Sequence, residues 1–429
     1  MIHKSNLIFL LGLLCIIGVT SCENDMEDLG KESKAYKKTV LLYMAAQNSL
    51  GYGDFSNYYA DSMEIIKGCQ FLDESNCLIA FVDNGNTPCL YQFTKNHPPQ
   101  LIKAWDKDIF STSPETLKEI LKLTRTNFPS EEYALVLWSH ADGWLPPTNN
   151  DYDIKSSPKS FGIDVGEDGY MNTDRTKDYN FGSQMDINDM ASAIHESGTS
   201  LKYIFFDACL MQSIEVCYAL RNTADYIIAS PIAIAANGAN YTNQIRKGLF
   251  SSNVCDIIHT YYEDVTDPMQ AWDYSDYGVV FSVVKTEPLE KLASLMSEIL
   301  PRSKVANKTS VNMDGVLNYH AYSSRNYYRP HQFDALESME RILTKEDFKL
   351  FNDLLNDIVI SKVETSKFWI GPNMSSFQYV NKETNSGIAI FIPQDIYTEN
   401  SSFTKHGDIN TSFQKTQWYK DAGWENTQW

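Results

Sequence analysis

The sequence predicts an α/β fold, an αβα sandwich around a mostly parallel central sheet. Three observations carry this expectation. Apolar runs of strand length recur through the first 230 residues, and segments of helical period separate them. Two of the runs, residues 133–138 and 203–206, stop abruptly at reactive chain, Ser139-His140 in one and Asp207-Ala208-Cys209 in the other. Strands alternating with helices imply parallel pairing with helices on both faces. Sheets of this kind build their sites just beyond the carboxyl ends of the strands.

Each element has its own signal. Strand 39–44 is followed by a helix near 57–67, then strand 77–82, closed by an Asn84-Gly85 turn. A helix near 114–127 leads into strand 133–138. Helix 186–197 precedes strand 202–206, helix 210–221 follows it, and residues 225–229 form another strand. Together these make residues 37–270 one domain. Beyond about residue 271 the chain becomes more helical and aromatic, with helical stretches at 283–300 and 333–357 and strand-like runs at 377–380 and 387–392. Residues 271–429 therefore read as a C-terminal α+β extension. Between 141 and 184 no apolar period is sustained, and an irregular segment of that length is usually functional or mobile.

Residues 1–21 stand apart. Lys4 precedes an apolar stretch, 7–19, that is too short to span a bilayer as a helix. It ends in Val19-Thr20-Ser21-Cys22, which resembles a bacterial lipoprotein signal and implies that Cys22 becomes the acylated first residue. Residues 22–36 follow as a polar tether. Its opening, Glu23-Asn24-Asp25-Met26-Glu27-Asp28, is similar to the tag that sends some Gram-negative lipoproteins to the cell surface. The expected location is the bacterial cell envelope, as an outer-membrane or surface lipoprotein held by its lipid alone.

Loss of residues 1–21 leaves 35 basic against 55 acidic residues, a net charge of −20. That excludes general nucleic-acid binding, which needs clustered Lys and Arg. It suits attraction of basic peptides, because a negative cleft raises their local concentration. The cysteines are irregularly spaced and show no zinc pattern, so a disulfide framework is not expected.

Cys209 and His140 are the candidate chemistry. A thiol beside an imidazole is the minimum equipment for nucleophilic attack on a carbonyl. The helix expected from residue 210 would favour thiolate through its dipole. Two weaker signals remain. Asp164, Glu167, Asp168 and Asp174 could supply oxygen ligands to calcium, although a solvated acidic loop is the better reading of them. His195, His259, His320 and His331 show no metal spacing.

Leu137-Trp138-Ser139-His140-Ala141-Asp142-Gly143-Trp144 and Phe206-Asp207-Ala208-Cys209-Leu210-Met211 resemble the clostripain family of cysteine peptidases, within the caspase-like clan. Residues 39–50 resemble the family's opening strand and turn, and residues 386–393 its late strand. The resemblance runs in order from about 39 to 393. It implies a caspase-like peptidase domain and a cysteine endopeptidase that requires no cofactor, with His140 and Cys209 as the catalytic pair. The family's oxyanion donors fall on the backbone N–H groups of Ala141 and Cys209. Asp207 falls where relatives place the acid that binds a basic P1 side chain, implying peptide or protein substrates cut after Arg or Lys.

Three departures bear on this. Ala141 stands where the family usually has Gly, Gln212 replaces a commonly small residue, and the loop 230–241, the expected opposite wall, carries no second acid. The alternative is a non-catalytic binding lipoprotein on a peptidase-like scaffold. Lys155, Lys159, Arg175 and Lys177 place basic residues in the 141–184 segment, where several relatives cut themselves.

Overall fold

Period-2 alternation of the apolar runs decides the architecture. In strand β1 (Tyr36–Ala45), Leu41, Tyr43 and Ala45 enter one core while Val40, Leu42 and Met44 enter another. Strands β5 (Ser130–Trp138) and β8 (Leu201–Asp207) divide in the same way, with Leu135, Leu137, Ile204 and Phe206 on one face and Val136, Trp138, Tyr203 and Phe205 on the other. A strand apolar on both sides needs cover on both sides, which is why the sheet is sandwiched between helices. The computed structural model describes residues 35–53, 56–145, 161–166, 182–268, 277–324, 327–370, 377–398 and 409–429. The expected signal at 1–21, Cys22 and most of the expected tether lie outside these residues, as do Lys155, Lys159, Glu167, Asp168, Asp174, Arg175 and Lys177.

The remaining strands of the main sheet are β2 (Asn76–Asp83), β3 (Cys89–Phe93), β4 (Gln100–Ala104), β9 (Ala224–Ala229), β10 (Val280–Lys285) and β13 (Val359–Glu364). Strands outside the main sheet are β6 (Phe161–Asp164), β7 (Ser183–Met185), β11 (Asn318–Ser324), β12 (Tyr327–Asp334), β14 (Lys367–Trp369), β15 (Phe377–Tyr379) and β16 (Ala389–Ile390). The nine-stranded sheet has the order β13-β10-β9-β8-β5-β1-β2-β3-β4. Its centre, β9-β8-β5-β1-β2, is parallel, and antiparallel pairs extend both edges.

One face is covered by helices α1 (Asn57–Gly68) and α5 (Asp256–Thr266), which contribute Ile65 and the set Ile257, Ile258, Tyr261 and Val265. The other carries α2 (Pro114–Asn127), α3 (Ile187–Ser197), α4 (Ile214–Ala219), α6 (Leu289–Ile299), α7 (Ala335–Ile342) and α8 (Lys345–Ile358). Side-chain caps at Ser56, Asp186, Asp334 and Thr344 fix the starts of α1, α3, α7 and α8.

Several expectations are corrected. The helical stretch expected over 283–300 begins as the end of β10, and α6 starts only at Leu289. Because β10 and β13 sit in the main sheet and residues 35–429 pack as one unit, the boundary at 270 divides stretches of chain, not separate cores. Strands β3 and β4 have no counterpart among the expected elements, since short, partly exposed edge strands show little apolar pattern. The helix expected over 210–221 is only Ile214–Ala219.

Candidate active site

Register brings the two reactive residues together. Strands β5 and β8 are parallel neighbours, and Trp138 pairs with Asp207. His140 and Cys209 each lie two residues beyond that pair, so two loops leave adjacent strand ends side by side, about 4.8 Å apart at their origins. Asp142 acts electrostatically on both His140 and Cys209, consistent with a shared site.

The histidine loop is held by side chains. Ser49 Oγ lies 2.9 Å from His140 Nε2. Neighbouring Asn48 is fully buried, and its Nδ2 donates to the carbonyls of Ala45 at 2.9 Å and Ile163 at 2.8 Å and to Ser139 Oγ at 3.3 Å. Ser139 Oγ donates to Ala45 O at 2.7 Å, and the His140 carbonyl accepts from Gly162 N at 2.9 Å. Burial lowers the His140 pKa, while Asp142 raises it. Asn48 and Ser49 fall in the 39–50 strand and turn that resembles the family, but the sequence assigns them no role at the site.

Backbone contacts hold the cysteine loop instead. Leu210 N donates to Ile232 O at 3.1 Å and Gln212 N to Ser230 O at 3.0 Å. The Cys209 Sγ accepts from Ile234 N at 3.4 Å. Leu210 has φ +64°, a left-handed conformation unusual for a branched side chain and one that stores strain directly after the cysteine. The helix-dipole expectation fails here: five loop residues separate β8 from Ser213, the cap of the six-residue α4, so no helix begins at the sulfur. Burial pushes the Cys209 thiol up to about 11, the Ile234 N–H holds it down, and Asp142 and Asp207 raise it further.

Ala141 does not need glycine's freedom. The positive φ of this loop falls at Gly143, +73°, where an added Cβ would stand 2.8 Å from Leu210 O. Ala141 bridges to Phe161, but the bond is carried by Gly162 N on the His140 carbonyl and does not use the Ala141 N–H. Gln212 is buried, with Nε2 donating to Ser282 O and Oγ at 3.1 and 2.8 Å, so its size is used to tie the cysteine loop to β10.

Asp207 lies beneath the loops. Its carboxylate accepts from Ala239 N at 3.2 and 3.1 Å and from Tyr241 Oη at 2.9 Å. An added Cβ at Gly238 would stand 2.7 Å from its Oδ2. Burial raises the Asp207 pKa to about 6, and the Ala239 and Tyr241 bonds oppose this. The loop 230–241 supplies no acid, yet a second carboxylate reaches the region from α1: Asp61 accepts from Trp138 Nε1 at 2.7 Å. Burial and then the Asp207 and Glu64 charges push Asp61 up to about 9. Its place on a helix far from the motif hid it from sequence reasoning.

Asp164, expected in a solvated acidic loop, is instead buried on β6, accepting from Ser111 N and Oγ at 2.7 and 2.8 Å. Among the described residues no three His, Cys, Asp or Glu groups are arranged to hold a metal ion.

The clostripain family model matches residues 42–429. Clostripain from Hathewaya histolytica is 21% identical over 334 residues, covering 70% of this chain and 60% of that protein, so the chain spans about three-fifths of this curated relative. A secreted C11 cysteine protease from Bacteroides thetaiotaomicron, solved with an irreversible peptide inhibitor, is 25% identical with a TM-score of 0.71, covering 91% of this chain and 99% of that one. An inactive zymogen C11 protease from Parabacteroides distasonis is 25% identical with a TM-score of 0.70 over the same shares. The fold, the adjacent strand-end His and Cys loops and a match over nearly the whole chain agree: this chain belongs to the clostripain family.

Proposed function

We propose that the protein is a cysteine endopeptidase in which Cys209 is the nucleophile and His140 the proton carrier. The observation that carries this reading is the Trp138–Asp207 register, which puts both residues two positions past one pair on adjacent parallel strands. Burial pushes the two groups toward their neutral forms, the thiol up and the imidazole down, so the resting pair is neutral thiol and neutral imidazole. His140 then takes the thiol proton as Sγ bonds to the scissile carbonyl carbon. The oxyanion formed is met by the backbone N–H groups of Ala141 and Cys209. Collapse expels the amine, which receives the proton from His140 and leaves a Cys209 thioester. Water hydrolyses the thioester with the same base. Thiol and imidazole suffice for every step, so no cofactor is invoked.

The substrates are peptides or proteins with Arg or Lys at P1. Asp207 supports this reading by its position, and Asp61 adds the second acid that the 230–241 loop lacks. Asp61, pushed up to about 9, is a neutral acid beside Asp207 at neutral pH, and a cationic side chain brought near both favours its ionisation. The chain reaches the cell envelope as a lipoprotein acylated on Cys22. No helix among the described residues is long and apolar enough to cross a membrane, and Cys22→Ser is expected to release the protein to the soluble fraction. One relative is described as an inactive zymogen. The proposed basic specificity, with Lys155, Lys159, Arg175 and Lys177 lying between His140 and Cys209, leads to the proposal that this enzyme cuts itself after one of them. Mass spectrometry of an aged sample beside Cys209→Ala checks that, since fragments must be absent from the variant. A P1-substituted fluorogenic peptide series tests the central reading: cleavage confined to Arg and Lys supports it, and no cleavage of any peptide by fully processed protein contradicts it.

A further inference from the structure

A second buried group of acids lies beside the histidine loop and takes no part in the proposed reaction. Asp83, the last residue of β2, is fully buried, and neither of its carboxylate oxygens meets a hydrogen-bond donor among the described residues. Asp164 of β6, 1% exposed, faces it at hydrogen-bonding distance. The two are not equivalent. Asp164 Oδ2 accepts from Ser111 N and Ser111 Oγ at 2.7 and 2.8 Å, and its Oδ1 accepts from Gly166 N at 3.0 Å. The Gln47 side chain, oriented with its amide nitrogen toward the acids, reaches Asp164 Oδ1 at 2.9 Å and Asp108 Oδ1 at 3.3 Å. Ser111 has one hydroxyl proton, and Asp164 receives it. Asp164 thus collects the donors, whereas Asp83 is left facing Asp164 and the Ser111 hydroxyl, whose one proton already goes to Asp164.

A buried carboxylate with no donor and a carboxylate neighbour is untenable as an anion; as a carboxylic acid it becomes the missing donor. We propose that Asp83 is held as a neutral acid donating its proton to Asp164, and that this shared proton fixes the histidine loop. The connections are short. Asp164 ends β6, whose Gly162 N holds the His140 carbonyl and whose Ile163 carbonyl holds Asn48. Val165 N donates to Gln47 O at 3.1 Å, and Ala46 N to Asp83 O at 2.7 Å. Gln47 and Asn48 lead directly into Ser49, the residue against His140 Nε2. Asp83 and Asp164 are therefore positioning residues acting through Ser49 and the His140 backbone.

Other groups facing the pair reinforce the proton. Asp108 adds negative charge, and Tyr43 of β1 packs beside it with its hydroxyl donating to Ser111 O at 2.6 Å. Burial first and then Asp164 raise the Asp83 pKa well above the usual carboxylate range, Ser111 opposes the rise, and Asp108 adds to it. The folded state thus keeps a proton that the unfolded chain loses near pH 4. Stability tied to this site is full below that value and declines with rising pH until the folded group itself ionises.

The test compares thermal unfolding of wild type and Asp83→Asn between pH 4 and pH 9. Asparagine keeps a donor toward Asp164 and cannot ionise. The expected result is near-equal Tm at pH 4 and, with rising pH, a growing advantage for Asp83→Asn on the order of 2–4 °C by pH 9. Asp83→Ala, with no donor, is less stable than Asp83→Asn throughout. Parallel pH dependence in wild type and Asp83→Asn overturns the proposal, as does an Asp83→Asn protein that will not fold. So does a calcium-induced rise in Tm that is lost in Asp83→Asn, since that would make the pair a cation site. Isotope-edited infrared spectra of folded wild type give a second measurement: a protonated Asp carbonyl band absent from Asp83→Asn is expected at pH 7, and its absence from wild type overturns the idea. The link to His140 rests on the peptidase reading, but the Tm and infrared results do not, so an inactive protein would leave the shared proton testable. In active protein, kcat/KM should fall less steeply above pH 8 in Asp83→Asn than in wild type.

Discussion

The two loops that meet at the site are built by opposite means. The histidine loop depends on side chains, Ser49, Asn48 and Ser139, reaching across from β1 and within its own turn. The cysteine loop depends mainly on main-chain bonds to 230–234, with a left-handed Leu210 turning the chain after the sulfur and one side chain, Gln212, tying it to β10. A loop held by main chain tolerates most side-chain changes, while one held by three polar side chains does not. Sensitivity to substitution should therefore be lopsided, broad around His140 and confined around Cys209 to the thiol, the residues it presses against and Gln212.

The largest effects test the chemistry that both loops serve. Cys209→Ala and His140→Ala are each expected to lower kcat/KM by at least about a thousandfold without unfolding the protein, and the double variant should be no worse than either, because groups that act as a unit are not additive. Next comes Asp207→Ala, expected to cost roughly tenfold to a few hundredfold against P1 Arg and Lys peptides, the scale of losing a charge-assisted pair. Steady-state kinetics on a P1 series measures both.

The comparison itself is sharpened by the histidine side. Asn48→Ala removes a buried amide that serves three acceptors, so a loss of about 2–4 kcal/mol in stability is expected together with lower activity. Ser49→Ala should change kcat by only about two- to tenfold and leave Tm within a degree or so, since it touches His140 at the site's exposed edge. Equal sensitivity in an alanine scan of 230–234 would break the contrast between the loops. The pH profile is the gentlest test. Because burial lowers the His140 pKa, its base form persists below the ordinary imidazole range, and the acid limb of kcat/KM should lie on the acidic side of about 6.5.

Much of this was legible in the sequence because the candidate residues sit at strand ends. Apolar runs predicted β1, β2, β5, β8 and β9, and the abrupt change after Trp138 and Phe206 marked His140 and Cys209. The helix over 114–127 was read to its bounds, since Pro114 and its apolar spacing leave little choice. What was hidden is tertiary. Asp61 sits on α1, and nothing in local pattern says that it meets Asp207. Asp164 looked like part of a solvated acidic loop because its neighbours are acidic, yet Ser111, more than fifty positions earlier in the chain, supplies the donors that bury it. The short α4 was overextended because Met211 and Ile214 are apolar at helical spacing, while the bonds of 210 and 212 to the 230–232 backbone hold that turn out of the helix.

Covalent labelling tests the central claim most directly. An acyloxymethyl ketone with Arg at P1, applied to fully processed protein and followed by peptide mapping, should modify Cys209 alone, with labelling abolished in Cys209→Ala and His140→Ala. Label on another cysteine, or equal labelling of wild type and His140→Ala, would contradict the assignment of the pair.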